Sequence, residues 1–357
     1  MEQQLLPARS KPNLASGQTR VLKYAPGHPV RLALISTLAV GLIAEEGIKM
    51  KLSSLASIWK QIGNYNPADG TPPAETSIIV DQNGVINGGK PFTITFQCGD
   101  ENTWPPVGAN TPTLVIRDYF SRAILRTVVW PNGGYRGFAV NQTINGLVHI
   151  FGTQDPSNQK NANAFVHSTI DATFTPSTAV VIMQARLYGG AQDIAGYVTP
   201  NAQGGWSLNY ANPNGAGFLD WPDANFTPEE VSASNPNGWT NFISGQAWNA
   251  LTETCAAEYN AADGYWYSLV QNLRYNPIMY YVTMARSIDR LHWTYSPTIF
   301  LYPDMPQLEG VDNSDVRMVE YQGQIYIVHL CGDQSTWSNV RTATFQGTLA
   351  QLRGQFF

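Results

Sequence analysis

A repeated glycine turn is the sequence feature that most constrains the fold. Gly146, Gly264 and Gly323 each stand in a turn followed by an aromatic or aliphatic strand, in "INGLVHIFGT", "ADGYWYSLVQ" and "YQGQIYIVHL". Gly323 lies 59 residues (323 − 264) after Gly264, and Gly264 lies twice that distance after Gly146. The period also places copies at Gly205 and beside residue 87, in "NGGKPFTITFQ". The chain therefore contains five turn-and-strand units of one length.

The second half of each unit recurs as well. Asp171 and Asp289 each lie 25 residues after a repeat glycine, and Asp223 stands at a shorter offset. A unit of this length holds about four strands and needs neighbours to cover both sheet faces, as a propeller blade does. We predict an all-β fold, a five-bladed β-propeller over residues 76–357. A separate β-sandwich is the alternative for residues 76–130.

The N-terminal 75 residues differ from the repeats. Residues 1–29 are polar and predict an extended arm. An amphipathic helix follows, because apolar residues recur at spacings of three and four up to Gly63, which ends it: Ile48, Leu52, Leu55, Trp59 and Ile62. Residues 64–75 indicate a linker. The helix either covers one end of the propeller or anchors the chain to protein partners through residues 1–63.

The uncharged segment Leu32–Ala44 is too short for an ordinary membrane span, so no span is predicted. It resembles a signal-peptide core, which would make the protein secreted. A retained segment, buried or packed on a partner, is favoured over a removed signal, because the stretch before it is long and Leu42 is a poor residue for a cleavage site.

Composition excludes one class of partner. Charged residues make up 13% of the chain, the net charge is −5, and no basic run is present, so nucleic-acid binding is not expected. Cys98, Cys255 and Cys331 lie far apart without metal-finger spacing. Buried thiols are the expectation, and one disulfide with a leftover thiol is the alternative.

A Ser/Asp/His cluster in "MARSIDRLHWTYSP" is interpreted as structure rather than chemistry. Ser287, Asp289 and Trp293 have counterparts in other units, so they are expected to close turns. His292 has no acidic partner at a useful spacing and is expected to be solvated or structural. No GxSxG motif is present, which argues against a serine nucleophile.

Chemistry in a propeller is expected where the inner strands converge on the central tunnel. Glu253, in "WNALTETCAAEY", starts the inner strand of the fourth unit with Trp248 nearby, as a general acid with a raised pKa requires. A carboxylate bonded to a neighbouring blade is the alternative. In "LEGVDNSDVRMVEY", just before the last inner strand, Asp312, Asn313 and Asp315 are candidates to bind sugar hydroxyls, act as a base or hold Ca²⁺.

Two further places break the repeat pattern. Tyr135 and Arg136 precede the second inner strand, where an Arg can orient a carboxylate or hydroxyl, or form a structural ion pair. His329 and Gln334 leave the last inner strand in "HLCGDQSTW". His329 is a candidate ligand for a central ion or water, and a hydrogen-bonded core histidine is the alternative.

The C-terminal third of the chain resembles a known group. "ETCAAEYNAADGYWYSLVQ", "YVTMARSIDRLHWTYSPTIFLYPD" and "EGVDNSDVRMVEYQGQIYIVHLCGDQSTW" are similar to the last two blades of glycosidase-like five-bladed propellers, which include glycoside hydrolase families 43, 32 and 62. The resemblance covers residues 250–357 well, residues 130–250 loosely, and residues 1–75 not at all.

This resemblance implies a glycan-facing tunnel mouth, often with an inverting mechanism. Glu253 matches the acid of the motif, and Asp315 matches the Asp of Ser-Asp-Val. The Asp that serves as base in the first blade has no match in "NGGKPFTITF", and Ala256 replaces a Pro. Hydrolysis and binding without hydrolysis therefore both remain open.

We predict a carbohydrate-binding propeller. If it also hydrolyses glycosides, Glu253 is the acid, and Asp312 or Asp315 is the base or the positioning group. The competing class is a structural protein or adhesin of a virion or surface assembly, docked through its N-terminal arm. An extracellular or virion-associated location follows from either.

Overall fold

A computed structural model describes most of the repeat region. The described residues are 60–65, 73–97, 113–129, 137–154, 164–184, 193–201, 205–212, 215–221, 240–245, 252–275, 278–303, 310, 312–332 and 338–357. Among them, no helix is long and apolar enough to cross a membrane.

The described strands form five antiparallel sheets of four strands each, numbered here as blades 1 to 5. The first strand of the chain, β1 (Lys60–Tyr65), belongs to blade 5. Blade 1 contains β2 (Pro73–Ile79), β3 (Phe92–Gln97), β4 (Thr113–Asp118) and β5 (Ile124–Val129). Blade 2 contains β6 (Gly137–Ala139), β7 (Val148–Gln154), β8 (Ala164–Ile170) and β9 (Val180–Gln184). Blade 3 contains β10 (Asp193–Pro200), β11 (Trp206–Asn212), β12 (Gly215–Trp221) and β13 (Thr240–Gly245).

The remaining two blades follow the same order. Blade 4 contains β14 (Thr252–Asn260), β15 (Tyr265–Tyr275), β16 (Ile278–Ser287) and β17 (Thr294–Leu301). Blade 5 contains β18 (Asp312–Tyr321), β19 (Gln324–Gly332), β20 (Ser338–Gln346) and, as its outermost strand, β1. A short helix, α1 (Leu349–Arg353), follows β20, and a single 3-10 turn (Ile86–Gly89) lies between β2 and β3.

The first strands of the five blades surround one axis. β2 contacts β6, β6 contacts β10, β10 contacts β14, β14 contacts β18, and β18 returns to β2. The predicted five-bladed propeller is thereby confirmed. A separate β-sandwich was the alternative for residues 76–130; the four strands described there, β2 to β5, form one sheet, which is the first blade.

The ring is closed by the N-terminal strand β1. Lys60 pairs with Thr344 of β20 and Tyr65 with Val340, so blade 5 combines the two ends of the described chain. The predicted helix was expected to end at Gly63, and this end is wrong, since residues 60–65 are a strand. Residues 60–65 pair with the edge of β20, because an edge strand has backbone N–H and C=O groups available for hydrogen bonding. Residues 48–59 and the arm lie outside the described residues.

The repeat glycines occupy the same turn in each blade, between the first and second strands. Gly146, Gly264 and Gly323 have φ values of 76°, 76° and 73°, in the left-handed region that favours glycine. Gly205 lies in the corresponding connection of blade 3. The sequence period therefore measures the distance from blade to blade.

The repeat aspartates close the turn between the third and fourth strands. The Asp171 carboxylate accepts hydrogen bonds from the backbone N–H of Thr173 at 2.8 Å and of Thr175 at 3.0 Å. Asp118 does the same in blade 1, where it accepts from the Ser121 N–H at 2.7 Å. Asp223 lies outside the described residues. These carboxylates act as turn caps.

Apolar side chains fill several of the spaces between blades. One cluster joins blades 1 and 2, another joins blades 5 and 1, and a third joins blades 4 and 5 beneath α1. Leu352 and Phe356, from the C-terminal segment, belong to the third cluster. A capping box between Thr348 and Gln351 fixes the start of α1. Packing between blades thus holds the inner strands in a ring.

Candidate functional site

The inner strands all begin at one end of the axis, which we call the upper end. Acidic residues stand at or near four of these starts. Asp193 is the first residue of β10, Glu253 is the second of β14, Asp312 is the first of β18, and Glu75 is the third of β2. Since corresponding positions of successive blades lie around one axis, these residues form a ring of acidic positions at the upper end.

A β-bulge follows the acidic positions in blades 4 and 5. In β14 the register shifts between Thr254 and Ala257, and in β18 it shifts between Ser314 and Arg317. Asp315 lies within the second bulge, is partly buried, and has a φ of 50°. A bulge redirects the strand and its side chains, and bulges are frequent beside active sites.

Below the strand starts, a buried arginine crosses the axis. The Arg317 guanidinium of β18 lies over the Phe138 ring of β6, 4.2 Å from its centroid, and each residue is 2% exposed. Blade 5 adjoins blades 1 and 4, and blade 2 adjoins blades 1 and 3, so this contact cannot be made around the ring. It must span the centre.

A second bridge joins two other blades that are not neighbours. The Asn141 side-chain amide donates a hydrogen bond of 3.0 Å to Glu258 Oε1, which connects blades 2 and 4. Arg353 of α1 donates to Glu258 Oε2 at 2.9 Å. The cavity between blades 4 and 5 that Glu258, Arg317 and Arg353 border is about 10 Å³, which leaves room for one water molecule at most. Side chains therefore obstruct the axis beneath the acidic ring.

The structure brings part of the predicted site together. Glu253, on β14, and Asp312, Asn313 and Asp315, on β18, lie on contacting inner strands at the upper end. The two acids expected before the last inner strand lie within it, because β18 already begins at Asp312. The side chains of Glu253, Asp312 and Asn313 are outside the described part of the structure.

The other predicted contacts to substrate lie outside the described residues. They are Tyr135, Arg136, Trp248 and Gln334. In sequence, Arg136 immediately precedes β6, which begins at Gly137.

His329 does not lie on the inner strand, as was expected, but on β19, the second strand of blade 5. Its side chain is completely buried beside Arg341 of β20, and burial lowers its pKa to about 4. Its Nε2 has no hydrogen-bond partner among the described residues. The described part of the chain contains no group of three or more His, Cys, Asp or Glu side chains placed to hold a metal ion.

The Ser/Asp/His cluster of blade 4 is a turn, as predicted. Ser287 Oγ donates to Asp289 Oδ1 at 3.0 Å and accepts from the Arg290 N–H at 2.8 Å. The expectation that His292 has no acidic partner is wrong, since its Nδ1 lies 2.7 Å from Asp289 Oδ2. The His292 side chain is 87% exposed, and Ser287 Oγ contacts the aspartate instead of the imidazole, so no nucleophile is activated.

Sequence reasoning missed Asp193 and Glu75. Both could have been found by applying the glycine period to Glu253, because one period earlier falls beside Asp193 and three periods earlier falls beside Glu75.

Cys331 is a completely buried thiol on β19, which agrees with the expectation for that cysteine. Cys98 and the side chain of Cys255 lie outside the described part.

Comparison with known proteins identifies the fold but no close relative. No protein-family model matches the chain, and no curated protein matches its sequence. Among solved structures, an arabinanase from Bacillus subtilis is similar with a TM-score of 0.53 and 10% identity, over 80% of this chain and 97% of that one. A glycosyl hydrolase from Bacteroides ovatus is similar with a TM-score of 0.51 and 13% identity, over 81% and 91%.

A xylan β-1,4-xylosidase from Bacillus halodurans is similar with a TM-score of 0.50 and 15% identity, over 78% of this chain. This chain spans about half of the xylosidase, since the match covers 54% of that protein. The resemblance to glycosidase-like propellers is confirmed as a resemblance of fold. Identities this low carry the fold alone.

Proposed function

We propose that this protein is a carbohydrate-active propeller that binds a polysaccharide at the upper end of the axis and hydrolyses its glycosidic bonds. The observation that carries the proposal is the ring of acidic positions at the inner-strand starts, above an axis obstructed by buried side chains. Such a site combines carboxylates with a surface that a sugar chain can reach from one side only.

Hydrolysis of a glycosidic bond requires two carboxyl groups on opposite sides of that bond. One protonates the leaving oxygen, and the other activates water or attacks the sugar. In this proposal Glu253 is the acid, and Asp312 or Asp315, on the contacting strand, is the base or the positioning group. Asp193 and Glu75 are further candidates for the base, because the first-blade motif lacks the expected Asp.

Arg317 is a positive charge on the strand that carries the proposed base. Its guanidinium is buried beneath the acidic ring and belongs to the same strand as Asp312 and Asp315. A fixed cation favours the ionised form of a nearby carboxyl group, and a base must be ionised to act. The acid, by contrast, must remain protonated, so the two groups need different surroundings.

The proposed substrates are polysaccharides of neutral sugars. The similar structures include proteins named as an arabinanase and a xylan xylosidase, and one from a family of mannoside phosphorylases that contains hydrolases of β-1,2 mannosidic linkages in Candida mannan. Arabinan, xylan and β-mannan are therefore the substrates to test first.

The experiment measures release of reducing ends from these three polymers by the full chain. We expect one of them to be cleaved, and Glu253→Gln to lower kcat by about 100-fold or more, since a missing general acid costs 10² to 10⁴ in rate. Glu320→Gln, on the same ring of strands but exposed at the far end of β18, is the matched control and should retain activity. Full activity of Glu253→Gln would contradict its assignment as the acid. If the parent binds a polymer but cleaves none, the proposed hydrolysis is wrong and only carbohydrate binding is supported.

A further inference from the structure

A cluster of uncharged aromatic and amide side chains lies at the opposite, lower end of the propeller. It consists of Phe120, Tyr321, Gln322, Gln324 and Tyr326, which we call the aromatic patch. Phe120 lies in the turn after β4, and the other four lie in or beside the turn between β18 and β19. Both turns follow strands that run away from the upper end, so the patch is remote from the acidic ring.

Phe120 is held in an exposed position. The residue is 47% exposed, and its backbone N–H donates a hydrogen bond of 3.1 Å to the turn aspartate Asp118. The preceding residue, Tyr119, is buried and donates its hydroxyl to the Ile327 and Ala343 carbonyls, each at 3.2 Å. The turn is therefore anchored to blade 5, and it presents the Phe120 ring instead of burying it.

The tyrosines of blade 5 support this ring. The Tyr326 ring stands edge-to-face against Phe120, with centroids 5.2 Å apart and planes at 89°. The Tyr321 ring lies 6.3 Å from Phe120. Aromatic pairs in these geometries stabilise each other, and they lose little conformational entropy when a ligand binds. The patch is therefore ordered before it meets a ligand.

The polar groups of the patch are amides and hydroxyls. Gln322 Nε2 donates to the Tyr321 hydroxyl at 3.1 Å, and the Tyr326 hydroxyl donates to Gln324 Oε1 at 3.2 Å. Burial and the neighbouring Tyr321 raise the pKa of Tyr326, so its hydroxyl stays neutral at physiological pH. None of the five side chains carries a charge, and an ionic ligand would gain no ion pair from them.

We infer that the aromatic patch is a second glycan-binding site, which holds a neutral sugar of the same polysaccharide away from the acidic ring. The apolar C–H face of a sugar ring packs on Phe120, and its hydroxyls exchange hydrogen bonds with the two glutamines. An exposed aromatic surface with a polar rim is typical of a ligand site. This inference rests on the proposed function, because the same polymer must occupy both ends.

Two sites on one propeller bind a long chain more tightly than either does alone. Once one segment of the polymer is held, the other site meets the same chain at a high effective concentration. A short oligosaccharide cannot reach both ends. The patch should therefore affect binding of polymers but not turnover of short fragments.

The test measures retardation of the full chain in native gels that contain soluble arabinan, xylan or β-mannan. We expect Phe120→Ala and Phe120→Leu to weaken binding of the retained polymer by about fivefold or more, and Phe120→Trp to preserve it. The matched control is Ile288→Ala, which removes another exposed apolar side chain, 70% exposed, from the equivalent turn of blade 4. It should bind as the parent does.

The comparison of Leu with Trp keeps the test independent of folding, because both fill the position with an apolar group and only one has a ring. Equal retardation of the parent, Phe120→Leu and Phe120→Trp would overturn the inference while leaving binding at the acidic ring intact. Unchanged hydrolysis of a short oligosaccharide by Phe120→Leu is expected, and a parallel loss would overturn the separation of the two sites. If the parent is retarded by none of the polymers and cleaves none, the proposed function fails and the second site with it.

Discussion

The Arg290 guanidinium of blade 4 binds the Asp220 carboxylate of blade 3 through two hydrogen bonds. Nη1 lies 2.6 Å from Oδ1, and Nη2 lies 2.8 Å from Oδ2. The two side chains are 10% and 8% exposed, and Ser207 Oγ bonds to both residues. Arg290 also lies over the Trp266 ring, 4.6 Å from its centroid. A buried ion pair with two hydrogen bonds thus joins the third strand of blade 3 to the turn between the third and fourth strands of blade 4.

Removing one partner of this pair should destabilise the propeller. Arg290→Met leaves the buried Asp220 carboxylate without its cation, and breaking such a pair costs about 3–5 kcal/mol. Urea unfolding, followed by tryptophan fluorescence, measures the change. The control is His292→Ala, which removes the exposed ion pair with Asp289 from the same turn, and exposed pairs contribute about 1 kcal/mol or less. Equal stabilities of the two variants would contradict the prediction.

Glu258→Gln should also lower stability, because it removes the charge that compensates the buried Arg353 while preserving shape. A hydrogen bond to a charged group contributes about 1.5–3 kcal/mol, and the loss should fall in this range. Differential scanning calorimetry measures it. Glu320→Gln removes a carboxylate that only accepts an exposed bond from the Leu349 N–H, and it should leave the melting temperature nearly unchanged. A melting temperature of Glu258→Gln that matches the parent would contradict the prediction that the Glu258 charge stabilises the fold through Arg353.

Stability should fall as the pH decreases from about 6.5 toward 4. Burial lowers the pKa of His149 to about 4, of His167 to about 3 and of His329 to about 4, whereas an unfolded histidine titrates near 6.5. His149 Nδ1 lies 2.9 Å from His167 Nε2, which also disfavours a charge on both rings. Below pH 6.5 the unfolded chain binds protons that the folded chain excludes, so the free energy of unfolding decreases.

The contribution of one histidine, His329, to this pH dependence can be measured separately. His329 alone should account for about 2 kcal/mol of the difference in unfolding free energy between pH 7 and pH 5. His329→Gln, which cannot be protonated, should reduce the slope of stability against pH over this range, whatever its effect at pH 7. The same slope in parent and variant would exclude His329 as a source.

Removal of residues 1–66 should destabilise blade 5, because it deletes β1 and leaves the edge of β20 unpaired. We expect a lower melting temperature and association of the truncated chains, detected by light scattering. Removal of residues 1–47 is the control, since it keeps β1 and the segment that belongs to the propeller unit. Loss of folding in both truncations to the same extent would show that the closing strand is not the decisive part.

The repeats could be predicted because their signals are local. The tight turn between the first and second strands of these blades has a residue with positive φ, so Gly146, Gly264 and Gly323 mark three blades directly. Asp171 and Asp289 mark the next turn of their blades because a short carboxylate caps the backbone there. Each of these requirements is met within a few residues of sequence.

The closing strand could not be predicted in the same way. Ile62 has the spacing of a helical residue, but residues 60–65 pair with β20 at the other end of the chain. Helical spacing is a weak preference, and pairing with an available strand edge overrides it. No residue near Lys60 in the sequence indicates strand pairing with Thr344, because the two lie at opposite ends of the propeller sequence.

The candidate site also has features that the sequence predicts and features that it does not. The sequence predicted that Glu253 starts an inner strand, whereas it did not predict the side chains that cross the axis below the strand starts. The contacts of Arg317 with Phe138 and of Asn141 with Glu258 join blades that are neighbours neither in sequence nor around the ring. They exist only because five blades place their inner strands about one axis.

The sequence by itself determined the number of blades and the positions of their turns, because each depends on short-range backbone geometry repeated at a fixed interval. Only the tertiary structure decided how the ring closes, which side chains cross the axis, and that Phe120 meets the tyrosines of blade 5 at the lower end. Those contacts depend on the curvature and packing of all five sheets, and no single repeat encodes them.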